Sequence, residues 1–178
     1  MRTSAACELT IRNRQRTRRV DLRLFRRTAN SVLQDLLKLN QYNLGLYLVT
    51  AREMTHLNET FLHHEGSTDV ITFNYAEPGE PEPASSRGHS IAAAPARLHG
   101  EIIICIDEAV IQAHRFHTSW QSELTRYLVH GLLHLRGYDD HHAAARRRMK
   151  REEDRLLRHL ADRFDLIQLG SREQPSRD

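Results

Sequence analysis

The chain has 178 residues, a formal charge of +3, a pI near 9.1, 39% apolar and 28% charged residues, and a mean hydropathy of -0.61. That size accommodates one hydrophobic core and argues against a second independent one. No apolar run approaches the roughly 20 residues of a bilayer span, and the start, MRTSAACELTIRNRQ, lacks the apolar segment of a secretory signal. Cys7 and Cys105 stand apart without CxxC spacing, which points to a reducing compartment, hence the cytoplasm, rather than to a disulfide scaffold.

Alternation over residues 7–14, CELTIRNR, predicts a half-buried edge strand with Leu9 and Ile11 on one face. Over 21–39 the apolar positions Leu22, Phe25, Ala29, Val32, Leu33, Leu36 and Leu37 recur at helical spacing, with Asn40 as the stop. Residues 44–49 read as a buried strand, and Thr50 with Glu53 forms a capping box opening a helix to about Leu62. DVITFNY, 69–75, is a β-branched and aromatic strand. The proline, glycine, serine and alanine of 77–97 lack periodicity and read as a mobile insertion between two strands.

EIIICI, 101–106, is a further apolar strand, and Asp107 is expected to cap a helix to about His117. Thr118 with Gln121 marks the next helix start; Leu124, Leu128, Leu132 and Leu135 make that helix central and buried, and Gly137 ends it. A last helix is expected over 142–164, before a polar tail at 171–178. The expectation is an α+β fold: a single domain over 1–170, with a small mixed sheet packed against helices and a central metal-binding helix.

That metal reading comes from the segment between His130 and His142. His130 and His134 are one helical turn apart, so both imidazoles share a face and can reach one ion. With 12 histidines in the chain, chance alone supplies roughly 0.8 such pairs, so the bare pair says little. The continuation says more. Gly137 lets the chain turn back, which brings Asp140, His141 and His142 within reach of the same ion, and three protein ligands with an open position are the arrangement of catalytic zinc. A zinc protease of the HExxH type needs a glutamate where this chain has Gly131, which argues against a minimal metalloprotease. Two arginine-rich stretches, at Arg12, Arg14, Arg16, Arg18 and Arg19 and at Arg146, Arg147, Arg148, Lys150 and Arg151, could flank one site.

HGLLHLRGYD, 130–139, resembles the HGxLHLxGYDH signature of the YbeY family of bacterial endoribonucleases. LNETFLHHEGSTDVITF (57–73), GEIIIC (100–105) and HTSWQSELTRYLVHG (117–131) are similar to other segments of that family, so the likeness runs over 44–140 apart from the insertion. It implies a zinc-dependent single-strand endoribonuclease with one Zn2+. It further implies action on ribosomal RNA with the small ribosomal subunit, in 16S rRNA 3′-end maturation and ribosome quality control. The rival readings are a non-catalytic ribosome-assembly factor with a structural zinc, and the protease. Two departures stand out. The family's third histidine aligns with Asp140, and His141 follows one place later, so either completes a set with His130 and His134. Many members carry an arginine at Leu62, where leucine cannot meet a phosphate. His64 is the first candidate among the loop residues to supply that charge, and Cys105 is expected to be a buried hydrophobe.

Overall fold

Two apolar segments build the centre of the sheet. In the computed structural model, which describes residues 7–75 and 97–170, they are β2 (Gln41–Val49) and β4 (Arg97–Cys105). With β1 (Cys7–Asn13) and β3 (Val70–Asn74) they form one sheet in the order β1-β2-β4-β3. The pairs β1–β2 and β2–β4 are parallel, and β3 returns antiparallel to β4. The sheet is mixed, and the alternating, half-exposed β1 lies at its edge.

Strand alternation sends Leu44, Leu46, Leu48, Ile102 and Ile104, all fully buried, into one core, and Val49, Ile103 and Cys105 into another. The larger core is closed by α1 (Leu22–Asn30), α3 (Ile106–Phe116), α4 (Trp120–Leu135) and α5 (Ala143–Arg163). The smaller one, with Met54 and Ile71, lies under α2 (Ala51–Leu57). The result is a layered α+β unit. Expectations for the insertion and the tail fall on residues 76–96 and 171–178, outside the described residues, apart from Arg97, which begins β4.

The first two helices end otherwise than their periodicity suggests. Each finishes in a π-helical turn, Ser31–Leu36 after α1 and Asn58–Leu62 after α2. Lys38 and His63 then take left-handed backbone (φ 56 each), so the first helix stops before Asn40. Thr50 caps α2 as expected, its side chain accepting from the Glu53 N–H at 3.4 Å.

Two caps differ from expectation. The helix α3 starts directly from the strand, so Asp107 already lies in its first turn; its carboxylate instead accepts the Ala51 N–H at 2.6 Å and caps the neighbouring α2. Ser119 rather than Thr118 caps α4, accepting from the Ser122 N–H at 3.1 Å, while the Thr118 hydroxyl donates to Glu123 at 2.6 Å. Gly137 ends α4 with φ 81, the left-handed conformation glycine adopts freely. Its N–H bonds the His134 carbonyl, and the Tyr138 N–H bonds the Leu133 carbonyl.

The helix α4 lies close against β3 and β4 because Gly131 has no side chain. A Cβ there would meet Ile102 Cγ2 at 2.7 Å and Val70 Cγ2 at 3.3 Å. That contact sets the depth of the helix, and hence the position of its two histidines beside the sheet edge formed by β3.

Candidate metal centre

Helical spacing puts His130 and His134 one above the other on α4, and the turn at Gly137 folds the following residues back over them. The two Nε2 atoms are 3.0 Å apart, and Asp140 Oδ2 lies 3.8 Å from the first and 3.9 Å from the second. These three side chains form a group able to hold a metal ion. All three are partly exposed, so the cluster opens to solvent.

The other ring nitrogens are committed. His130 Nδ1 lies 3.0 Å from a Glu153 carboxylate oxygen, and His134 Nδ1 lies 3.1 Å from the Tyr138 carbonyl. A carboxylate and a carbonyl only accept, so Nδ1 carries the hydrogen in each ring, an assignment made from the bonding partners. Both Nε2 lone pairs then face one another and a carboxylate oxygen. Without a proton or a cation between them they repel, so the donor set fits a divalent ion that takes imidazole and carboxylate ligands, as Zn2+ does.

Electrostatics distinguish the two rings. Burial pulls the His130 pKa down, but the Glu153 bond and charge outweigh it and leave it above its ordinary value. The His134 pKa is lowered by burial and by His130. Burial pushes the Glu153 carboxyl up, yet bonds from His130, Lys150 and Arg126 hold it at about 2. The carboxylate is therefore ionised wherever the protein is folded at neutral pH.

The turn separates Asp140 from His141. Asp139 Oδ1 accepts the His141 N–H at 3.0 Å and lies 3.7 Å from His141 Nε2. That local bond turns His141 outward, with its side chain 86% exposed. Asp140 is the member of the pair that joins the two histidines, although His141 forms a second, more open group with Asp139 and Asp140. Arg146 braces the same turn, its Nε donating to the Asp140 carbonyl at 3.0 Å.

His64 is exposed and belongs to neither group; its N–H bonds the Asn58 carbonyl at 3.4 Å. Asn58, buried beneath the loop, donates from its side chain to the Gly66 carbonyl at 2.9 Å and so ties the segment that carries Leu62, His63 and His64. Leu62 is 43% exposed. Asp69 Oδ1 takes the Thr68 hydroxyl and the Val70 N–H, a turn that starts β3. Cys105 is buried, and burial pushes its thiol pKa up.

The two basic stretches lie on different elements. Arg14 follows β1 at one edge of the sheet, where it pairs with Glu53 at 2.9 Å. The histidine helix packs on β3 and β4, which lie across β2 from β1. On α5, Lys150 is tied to Glu153 and Asp154, and Arg148 lies over the Tyr138 ring, whereas Arg147 and Arg151 are exposed.

Glu153 was not visible as a site residue from local spacing around the histidines. Its signal lies elsewhere: Met149, Glu153, Leu156 and Leu160 form the buried stripe of α5, and one of the four is a carboxylate.

A family model described as "Endoribonuclease YbeY" matches residues 10–161. A Chlorobium luteolum protein named Endoribonuclease YbeY is 33% identical over 153 residues, covering 86% of this chain and 98% of the relative. One of the same name from Salinibacter ruber is 36% identical over 115 residues, covering 65% and 68%. The solution structure of TM1509 from Thermotoga maritima superposes with a TM-score of 0.59 at 20% identity, over 95% of this chain and 99% of that one, which shows a shared fold. With a family model spanning most of its length and a relative matched almost end to end, this chain belongs to the YbeY family of endoribonucleases, hydrolases whose substrate is RNA.

Proposed function

We propose that this protein is a zinc-dependent endoribonuclease that cuts single-stranded RNA in ribosomal RNA processing. The reading extends to 16S rRNA 3′-end maturation and ribosome quality control, with the small ribosomal subunit as partner, in the cytoplasm. Among the described residues no helix is long and apolar enough to cross a membrane, which is compatible with that placement.

The observation that carries the reading is the convergence of two Nε2 lone pairs and one carboxylate oxygen on a common point at an open surface. His130, His134 and Asp140 are the proposed ligands, with His141 set aside because its ring is turned out to solvent. Zinc held there supplies Lewis-acid chemistry at a phosphodiester. The chain's own part is to fix both imidazoles through Nδ1 and to bind the RNA backbone with exposed cations such as Arg147 and Arg151. His64 is proposed as the loop residue that faces developing phosphate charge in place of an arginine at Leu62.

The test is the metal content of the purified protein beside His134→Ala, Asp140→Ala and His141→Ala, followed by cleavage of a precursor RNA. The first two variants are expected to lose the ion and the cleavage, and His141→Ala to keep both. A folded, metal-free His134→Ala that cuts as well as the parent refutes the zinc mechanism. A metal-loaded parent that binds small subunits and never cuts supports an assembly factor instead.

A further inference from the structure

We infer that Glu153 is the positioning residue of the metal centre: its carboxylate fixes His130 with the hydrogen on Nδ1 and the Nε2 lone pair turned to the ion. This inference rests on the zinc reading above. It comes from how the carboxylate is shared. Oε1 takes Arg126 Nη1 at 2.6 Å and Lys150 Nζ at 2.9 Å, which leaves Oε2 to His130 Nδ1 at 3.0 Å. Two cations thus anchor one oxygen, and among the described residues the other takes the imidazole.

Packing makes the same point. Glu153 is 4% exposed and occupies a position on the stripe of Met149, Leu156 and Leu160 where leucine would bury more apolar surface and desolvate no charge. A carboxylate there serves something other than the core. The two histidines are also backed unequally: His134 leans on a neutral carbonyl, whereas His130 is backed by a carboxylate. Carboxylate-backed imidazoles bind metal more tightly, and loss of such a partner lowers affinity about 10–100-fold.

Glu153→Gln keeps the shape and one acceptor oxygen but removes the charge; Glu153→Leu removes both and fills the stripe. Zinc affinity is measured by competition with a chromophoric chelator on protein shown to be folded by circular dichroism. The His130 ring tautomer is read by nitrogen-15 NMR on the metal-free protein. The expected order is parent, then Glu153→Gln weaker by about 10-fold, then Glu153→Leu weaker by up to about 100-fold. The parent ring carries its hydrogen on Nδ1, and the Glu153→Leu ring shifts toward Nε2–H.

Folded variants that bind zinc as tightly as the parent and keep the parent's tautomer overturn the inference while the zinc reading stands. A parent that takes up no zinc refutes the zinc reading, and the NMR arm still decides Glu153: a parent ring without a hydrogen on Nδ1 overturns the positioning role. If Glu153→Leu does not fold, Glu153→Gln carries both measurements.

Discussion

Gly131→Ala tests why this chain has glycine where a zinc protease has its glutamate. The new Cβ would sit 2.7 Å from Ile102 Cγ2 and 3.2 Å from Ile102 Cδ1, about 1 Å inside an ordinary carbon contact. Neither partner yields easily. Ile102 is β-branched, fully buried, and pinned between β2 and β3, while α4 is held by Leu124, Leu128 and Leu132. Overpacking of this kind costs about 1–3 kcal/mol, and the helix gain of alanine over glycine returns about 1 kcal/mol. A 2.7 Å contact belongs in the upper part of that range, so the net loss is about 1–2 kcal/mol. For a chain of this length that is a fall in Tm of about 2–8 °C. Urea unfolding in EDTA measures it without metal linkage, and Ile102→Ala in the same background should relieve it, with a coupling of at least about 0.5 kcal/mol. A Gly131→Ala protein as stable as the parent refutes the packing account. If the account holds, Gly131→Glu displaces the helix instead of creating a peptidase base.

Three further outcomes are expected. Asp107→Ala leaves the Ala51 N–H uncapped and costs about 1 kcal/mol, with faster amide exchange concentrated in α2 and unchanged exchange in the first turn of α3. Leu62→Arg places a cation at an exposed position and should steepen the dependence of log K on log salt for single-stranded RNA by about 0.7; an unchanged slope places Leu62 outside the RNA path. Zinc at about 100 times its Kd should stabilise the protein by about 2.7 kcal/mol, an increase that EDTA reverses and Asp140→Ala abolishes.

Much of this arrangement was readable from local pattern. The alternation of CELTIRNR, the helical spacing of Leu124 to Leu135 and the glycine at 137 each act over one or two turns of chain, and each has its expected structural result. The errors share a cause. Asp107 has the sequence of a cap for its own helix, but its partner, Ala51, is brought beside it only by the parallel pairing of β2 with β4. Glu153 likewise meets His130 only through packing of α5 on α4, which no spacing around His130 encodes. That Asp140 rather than His141 lies beside the two histidines is a detail of turn geometry that residue types do not specify. Strand order, set by long-range pairing, was beyond pattern altogether.

The converging triad comes from one helix and the turn that ends it, whereas the sheet joins strands separated by tens of residues. Short segments close in about 10–100 ns, well before such a sheet can assemble. An ion held as proposed could therefore be gripped by chain that is not yet folded, and binding to the unfolded state would subtract from the stability it confers. Glu153 changes that balance. It meets His130 only through the docking of α5 on α4, so the contribution to affinity proposed for it would exist in the native protein alone. A side chain that tightened the ion in this way would also make metal retention a reporter of completed folding.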